Sequence, residues 1–365
     1  MDLEERKMVG EIIDRFLSVP IYTGSSLTRK PVLLELYEAA RAKFGGPLTS
    51  LAAEALRERL NPGGSVLLTT GFIVPPWLRA ETDGPVGAAT LARGLNLCLD
   101  VTPVIVTEKF IAELIPPVLR AAGLEVADSA LAKKTYRRIG VEPFTHDARK
   151  AKEQSIEILD RVKPSALIAI EKASPNEKGV YHSGVGYDIT PLCAKVDALI
   201  DEARSRGILT IGIGDGGNEI GMGCIKDTIK KVVPTGAKCG CPCGAGTHGA
   251  TETDILVVSM VSNWGCTALE ANLAIAFGRM EILHDRALEE KILEEAASAG
   301  FIDPAAGLGI PSVDAIDKQV HLAVVDILNF IVKSRLQDSF YIQKYKEYVG
   351  EKRNQIQELI RSWKE

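Results

Sequence analysis

The chain has 365 residues, with 43 Lys and Arg against 48 Asp and Glu, so its formal net charge is −5. This length fits one large domain or two smaller ones, and the hydrophobic fraction of 46% is enough for a substantial core. A slightly acidic chain without a basic block lacks the charge that gives proteins affinity for a phosphate backbone. We therefore expect no nucleic-acid partner.

Residues 1–10 are charged and acidic, unlike the start of a signal peptide or a transit peptide. The apolar runs stay far below the roughly 18 residues that a membrane-spanning helix needs. Seven cysteines are an odd number in a chain of this size, which favours reduced thiols over a disulfide framework. These features predict a cytoplasmic protein without a membrane partner.

Apolar residues recur at helical spacing over residues 1–62, which predicts a helical N-terminal lead-in that ends at the NPGG sequence. From residue 63 to 311, short β-branched runs alternate with helical stretches, as in a mostly parallel sheet with helices on both faces. The predicted strands are 65–70, 103–107, 166–170, 209–213 and 255–261. The connecting helices are predicted near 86–99, 108–122, 147–162, 191–206, 219–232 and 264–283.

Residues 312–365 are predicted to form two long helices that pack on the same domain or on a partner subunit, which would make a homo-oligomer. The fold class predicted from the whole chain is α/β, with N-terminal and C-terminal helical extensions around a sheet domain.

Acidic and amide side chains follow the predicted strands, at the edge of a parallel sheet where ligands bind. They are Glu81 and Asp83 after the first strand, Glu171 after the third, Asp215, Asn218 and Glu219 after the fourth, and Asn263 beside Trp264 after the fifth. A further acid, Asp188, lies in a glycine-rich connection. Because the carboxyl ends of parallel strands share one edge, these side chains are expected to meet in one pocket.

Several carboxylates in one pocket repel one another unless a positive charge binds among them. Oxygen ligands suit Mg²⁺ or Mn²⁺, and the predicted ligands are Glu81, Asp83, Glu171, Asp215 and Glu219. The alternative is that Asp83 caps a helix and that the other acids are surface carboxylates or partners of nearby lysines.

The segment 211–223 contains Gly212, Gly214 and Gly217 in the G-x-G-x-x-G spacing of dinucleotide sites. Asp215 between these glycines would repel a pyrophosphate, so no nucleotide cofactor is expected. We expect the glycines to let the backbone wrap closely around an ion or a small anion, with Asp215 and Glu219 directed inward.

Three cysteines, Cys239, Cys241 and Cys243, form a C-x-C-x-C pattern in the sequence CGCPCG. Zinc and iron–sulfur sites usually have C-x-x-C spacing, so a tight loop of buried or redox-sensitive thiols is the alternative to a metal site. His182 lies near the expected pocket, either as an acid or base or as a structural side chain.

Four ordered motifs together resemble the D-glutamate cyclase family, specifically its C-terminal catalytic-type domain, over roughly residues 65–310. They are ETDGP at 81–85, IEKASPN with the following G-x-Y at 170–181, GDGGNEIGMG at 214–223 and VSNWG at 261–265. The resemblance implies a lyase that converts D-glutamate to 5-oxo-D-proline and water. It also implies functional roles for Glu81, Asp83, Glu171, Asp215, Asn218, Glu219, Asp254, Asn263 and Trp264.

The leading hypothesis is a divalent-metal-dependent enzyme that acts on a small carboxylate substrate as a D-glutamate cyclase. Glu171 or Asp188 would remove a proton from the substrate ammonium, while Asn218, Asn263 and backbone N–H groups near Trp264 would stabilise the oxyanion. One alternative is a Mn²⁺- or Mg²⁺-dependent phosphatase that uses the same carboxylates on a phosphate substrate. Another is a non-catalytic protein that binds a small anion or an amino acid.

Overall fold

A computed structural model describes residues 1–18, 32–132, 135, 137–337 and 340–363 of the chain. Its strands are β1 (Ser65–Thr70), β2 (Ile73–Val74), β3 (Arg79–Ala80), β4 (Thr102–Thr107), β5 (Glu125–Ala127), β6 (Arg138–Pro143), β7 (Ala166–Ile170), β8 (Leu209–Gly214) and β9 (Ile255–Val258). Seven of them form a parallel sheet in the order β5-β6-β4-β1-β7-β8-β9, and β2 pairs with β3 in an antiparallel hairpin. The predicted α/β fold is confirmed.

Helices precede, connect and follow these strands. They are α1 (Leu3–Leu17), α2 (Val32–Phe44), α3 (Leu48–Arg59), α4 (Pro85–Arg93), α5 (Lys109–Leu114), α6 (Pro116–Ala121), α7 (Ser129–Ala132), α8 (Ala148–Val162), α9 (Asp197–Ser205), α10 (Lys226–Val232), α11 (Ser262–Phe277), α12 (Arg286–Ala299), α13 (Lys318–Leu336) and α14 (Phe340–Ser362). Among the described residues, every helix is too short or too polar to cross a bilayer.

The five predicted strands all form, because each is an apolar run that helices cover on both faces of the sheet, although the last one ends at Val258 rather than at residue 261. Every residue of β1, β4, β7 and β8 is buried. The sequence did not predict β5 and β6, which lie at one edge of the sheet, are partly exposed and contain charged residues. It also did not predict α12.

The chain order of the strands reverses beside β1. After β1 the sheet grows in one direction through β4, β6 and β5, and the chain then crosses back to add β7, β8 and β9 on the other side. Connections that leave in opposite directions open a crevice at the carboxyl ends of β1 and β7, which is where open parallel sheets bind ligands. The segments that follow β1, β7 and β8 converge on this crevice.

Hydrophobic cores cover both faces of the sheet: one contains Leu67 and Leu167, and the larger one extends from Val9 in α1 to Val332 in α13. Helix α11 lies at its centre, buried from Ser262 to Ile275, and packs against α3, α4 and α13. The helical prediction for residues 1–62 agrees with α1, α2 and α3, while its segment 19–31 lies outside the described residues. The two long C-terminal helices form as predicted, and α13 packs against α11 and α12.

Asp14 of α1 is buried and caps α3. Its carboxylate accepts hydrogen bonds from the backbone amide of Leu48, from the amide and hydroxyl of Thr49, and from the Tyr37 hydroxyl at 3.2 Å. Because Leu48 and Thr49 open α3, these bonds satisfy amides that the helix cannot pair internally. They join the first helix to the helix that packs on α11.

Replacing Asp14 by Ala should lower the free energy of unfolding by about 2 kcal/mol, because the cap is lost and buried donors are left unpaired. Urea denaturation followed by circular dichroism measures this change. Asp2→Ala is the matched control, since Asp2 caps the exposed start of α1 and its loss should cost less. Equal effects of the two substitutions would contradict a structural role of Asp14 in the shared core.

Candidate functional site

Six carboxyl groups from four chain segments meet at the crevice. Asp83, Asp215 and Asp314 form one group, and Glu171, Asp215 and Glu219 form another, with the carboxylate oxygens in each group all within 4.8 Å of one another. Asp215 belongs to both groups. We call these five residues and the neighbouring Glu81 the acidic cluster. Four of the five predicted metal ligands therefore lie in these groups, and the fifth, Glu81, lies beside them.

Burial and mutual repulsion dominate the electrostatics of the acidic cluster. Loss of hydration raises the pKa of Glu81, Glu171, Asp215 and Asp314 well above their ordinary values, and the neighbouring carboxylates raise it further. Burial also raises the pKa of Asp83, to about 6, although backbone N–H groups that bind its carboxylate act in the opposite direction.

The acidic cluster lacks a protein counter-charge: among the described residues, no Lys or Arg forms a salt bridge with any of its members. The nearby Lys172 pairs instead with Glu108 and donates to the carbonyl of Gly71 at 3.1 Å. Asp215 and Asp314 are partly exposed, so ions can enter from solvent. These hard oxygen donors fit Mg²⁺ or Mn²⁺.

Asp83 connects the loop after β3 to the start of α11. Its carboxylate accepts hydrogen bonds from the amides of Ser262 at 2.9 Å and Asn263 at 2.8 Å. The expected alternative, a helix cap, is therefore present, but on α11 rather than on the helix that follows Asp83 in sequence. Each carboxylate oxygen has more than one lone pair, so the cap leaves room for a cation. It also fixes the position of Asp83 in the acidic cluster.

Asn263 caps α4 in return. Its Oδ1 accepts hydrogen bonds from the amides of Gly84 at 2.9 Å and Gly87 at 2.8 Å, and its Nδ2 donates to the carbonyl of Thr82 at 3.1 Å. The role of Asn263 in stabilising an oxyanion stays a prediction, and its side chain has a structural role as a helix cap. The backbone amides of Ser262 and Asn263, at the start of α11, bind Asp83.

Glu171 directly follows β7 in a left-handed conformation, with φ of +42°, which is uncommon for a residue with a side chain. This conformation directs its carboxylate into the crevice, where it accepts a hydrogen bond from the Ser262 hydroxyl at 2.6 Å. Gly84 approaches so closely that a Cβ there would lie 2.8 Å from the Cβ of Glu171. A glycine is therefore required in the ETDGP loop.

The glycine-rich segment after β8 wraps around the carboxylate of Glu219. The amides of Gly216 and Gly217 donate to it at 2.7 and 2.8 Å, and Gly217 has φ of +101°. The sequence predicted a backbone wrapped around an ion or a small anion, and the anion proves to be a side chain of the same loop. Asp215, the partly exposed member of the loop, belongs to both carboxylate groups.

Two further predicted residues lie beside the acidic cluster rather than in it. Asn218 donates from Nδ2 to the carbonyl of His182 at 2.9 Å, which links the two connecting loops. Asp188 is exposed and accepts a hydrogen bond from the amide of Thr190 at 2.9 Å. The structure does not bring Asp188 into either carboxylate group, so of the two predicted bases only Glu171 lies in the site.

Asp254, for which the family resemblance implies a functional role, lies at the amino-terminal ends of the strands. Its carboxylate accepts hydrogen bonds from the amide and the hydroxyl of Thr210 at 2.8 and 2.9 Å. Thr210 is near the start of β8 and Asp254 directly precedes β9. Because the strands are parallel, these amino-terminal ends face away from the acidic cluster, and Asp254 joins the starts of β8 and β9.

Trp264 is buried, with 1% of its surface exposed, and its indole donates to Nδ1 of His321 at 2.9 Å. The ring lies in the core, and a catalytic role of Trp264 stays a prediction. The contact begins a buried chain of paired groups: His321 contacts Glu289 at 2.6 Å, Glu289 contacts His284 at 2.9 Å, and His284 contacts Glu270 at 2.7 Å. This chain joins α11, α12 and α13.

Asp314 is the site residue that the sequence did not reveal, because residues from 312 onward were assigned to helices. Its φ of +49° belongs to a loop before α13, and Asp303 holds that loop by accepting hydrogen bonds from the amides of Ala305 and Ala306 and from the Ser312 hydroxyl. The signal was present in the run of Gly, Pro and Asp over residues 303–317, which predicts a loop rather than a helix.

The family comparison agrees with this geometry. The family described as D-glutamate cyclase-like, C-terminal, matches residues 38–329. This chain belongs to that family. The family match extends across both domain boundaries predicted from the sequence, near residues 62 and 312. The core from α1 to α13 extends across them too. The human mitochondrial D-glutamate cyclase is 29% identical over 271 residues, which are 73% of this chain and 41% of the human protein. The chain thus spans less than half the length of this relative.

Manganese titration tests the acidic cluster directly. Asp215→Asn should weaken Mn²⁺ binding by at least about tenfold, because it removes the carboxylate shared by both groups. Isothermal titration calorimetry measures the affinity, and Asp188→Asn is the matched control because Asp188 is exposed and outside the cluster. Equal affinities of the two variants for Mn²⁺ would place the metal elsewhere.

The histidine–carboxylate chain predicts a loss of stability in alkaline solution. Burial opposes protonation of His284, but Glu270 and Glu289 outweigh it and raise the pKa of His284 from 6.5 to about 10. A raised pKa means that the folded state holds the proton more tightly than the unfolded state. The stabilisation is complete below pH 6.5 and disappears as the pH rises to 10, at a rate of at most about 1.4 kcal/mol per pH unit.

Urea denaturation at several pH values between 7 and 10 measures this slope. His284→Gln should flatten it, whereas substitution of the exposed His146 by Gln should leave it unchanged. A slope that persists in His284→Gln would show that other groups control alkaline stability.

Proposed function

We propose that this chain is a divalent-metal-dependent lyase of the D-glutamate cyclase type, which converts D-glutamate to 5-oxo-D-proline and water. The chain belongs to the D-glutamate cyclase-like family, which supports a lyase. The observation that carries the proposal is the pair of carboxylate groups joined by Asp215. Their repulsion favours a bound cation, and a bound cation can receive an anionic substrate.

The donors for the cation would be Asp215 with its partners in either group: Asp83 and Asp314, or Glu171 and Glu219. A cation held there would offset the negative charge and polarise a substrate carboxylate. Asp83 and Glu219 are already fixed by backbone amides, which would hold the donor oxygens in place before the cation arrives.

The reaction needs protons to move from nitrogen to oxygen. A bond forms between the α-amino nitrogen and the γ-carboxyl carbon, one C–O bond breaks, and that oxygen leaves as water with two protons from the ammonium group. Glu171 suits this transfer, because burial and the neighbouring carboxylates raise its pKa, which makes the carboxylate a stronger base. The Ser262 hydroxyl holds one carboxylate oxygen of Glu171 in position. The reacting groups belong to one molecule, which limits the entropy cost.

A phosphatase is the second candidate, and one observation favours it. Two carboxylate groups that share Asp215 match the arrangement in which one side chain bridges two metal ions. Paired ions can activate water and stabilise the leaving oxygen of a phosphate ester.

The cytoplasmic location predicted from the sequence stays a prediction, and the human relative is described by its name as mitochondrial.

Purified protein with Mn²⁺ should convert D-glutamate to 5-oxoproline, measured by chromatography or NMR. Asp215→Asn should reduce turnover by at least about 100-fold because a metal ligand is lost. Asp188→Asn should stay close to the wild type, because its side chain faces solvent outside the acidic cluster.

Unchanged D-glutamate in the presence of either Mn²⁺ or Mg²⁺ would overturn the lyase assignment. Mn²⁺-dependent release of phosphate from an aryl phosphate would then favour the phosphatase. Thermal stabilisation by glutamate without any turnover would favour a binding protein.

A further inference from the structure

A second cluster of metal-binding side chains lies next to the acidic cluster. Nε2 of His182 is 3.2 Å from the sulfur of Cys241 and 3.7 Å from that of Cys243. The sulfur of Cys239 is 3.4 Å from that of Cys241 and 3.3 Å from that of Cys243. All four ligand atoms lie within 4.8 Å of one another. We call this set the thiol cluster.

These separations fit a shared metal ion better than a disulfide. A disulfide needs two sulfurs about 2.05 Å apart, and the closest pair here is far beyond that distance. Sulfurs bound to one tetrahedral Zn²⁺ lie about 3.8 Å apart, given Zn–S bonds of about 2.3 Å. An iron–sulfur cluster would spread its thiolates over several iron atoms, so three sulfurs this close suit a single ion.

The surroundings of the thiol cluster support coordination. His182 and Cys239 are buried, and Cys241 and Cys243 are only partly exposed. Among the described residues, the other ring nitrogen of His182, Nδ1, is buried without a hydrogen-bond partner, so all polar contacts of this ring face the sulfurs. The Nε2 atom of His182 thus faces the sulfurs of Cys241 and Cys243, and the imidazole and the three thiols together form a set of metal ligands.

Two neighbours could offset the negative charge of coordinated thiolates. The side-chain amide of Asn176 approaches the sulfur of Cys243 at 3.4 Å and is held in place by the carbonyl of Gly246 at 2.8 Å. The ammonium group of Lys178 donates to the carbonyl of Cys243 at 2.7 Å. Such outer contacts orient metal ligands and strengthen binding.

We propose that His182, Cys239, Cys241 and Cys243 bind one Zn²⁺. Three thiolates and an imidazole are the soft and borderline ligands that zinc prefers over the oxygen-seeking Mg²⁺ and Mn²⁺. Four protein ligands leave no open position, so the ion is structural. The usual C-x-x-C spacing is absent, but the turn through Gly240 and Pro242 brings the three alternate cysteines to one side.

The zinc would fasten two loops that form one wall of the crevice. It would join the connection after β7, which carries His182, to the loop between α10 and β9, which carries the cysteines. The carbonyl of His182 accepts the hydrogen bond from Asn218, and the next residue, Glu219, is in the acidic cluster. This structural role does not depend on the proposed lyase activity.

Elemental analysis tests the proposal on the full chain, purified without a histidine tag or a chelating column. We expect about one zinc per chain in the wild type and in Asp215→Asn, and less than a tenth of that in Cys241→Ser. Cys98→Ser is the matched control, because Cys98 lies outside the cluster and a serine can keep its hydrogen bond to the carbonyl of Glu281. Loss of zinc in Asp215→Asn with retention in Cys241→Ser would overturn the thiol site and leave the acidic cluster as the zinc site.

A second measurement avoids any variant that fails to fold. Stepwise mercuration of the wild-type thiols should release zinc to a coloured chelator, in proportion to the thiols modified until all zinc is free. Replacement of zinc by Co²⁺ should give intense thiolate-to-cobalt absorption in the near ultraviolet. Wild-type protein that contains a disulfide among these cysteines, or copper or iron in place of zinc, would contradict the proposal.

Discussion

Six carboxyl groups share one crevice without a lysine or arginine among the described residues to balance them, and the chemistry of the site follows from this arrangement. Two unit charges about 4.8 Å apart repel by roughly 3 kcal/mol at the effective dielectric constant of protein sites, and the cluster contains several such pairs. A bound cation or the uptake of protons would relieve this repulsion.

The fold maintains this costly arrangement through backbone hydrogen bonds rather than through salt bridges. Asp83 caps α11 while Asn263 caps α4, so that the two helices fix each other at the carboxyl edge of the sheet. Glu219 is enclosed by the amides of its own loop, and Glu171 is directed inward by a left-handed backbone. The large core that extends from α1 to α13 then holds the helices that carry these caps. The motifs that look catalytic in the sequence are thus partly the supports of the site.

The sequence predicted the sheet well because its inner strands are apolar runs buried on both faces, and this signal is local. Open parallel sheets bind ligands at the carboxyl ends of their strands, and this rule located most residues of the acidic cluster. It could not find Asp314, which reaches the site from a loop far along the chain after the last strand. It also could not separate support from chemistry: Asn263 and Trp264 lie in the most specific motif, yet one caps a helix and the other is buried in the core. Whether a side chain in a motif faces the pocket is decided by tertiary contacts.

X-ray diffraction from crystals grown with Mn²⁺, measured at the manganese absorption edge, tests most directly whether the acidic cluster is a cation site. We expect an anomalous peak in contact with the carboxylate of Asp215 and with at least two other carboxylates of the acidic cluster. Well-ordered electron density for these side chains with no peak among them, or a peak elsewhere on the molecule, would contradict a cation site in the acidic cluster.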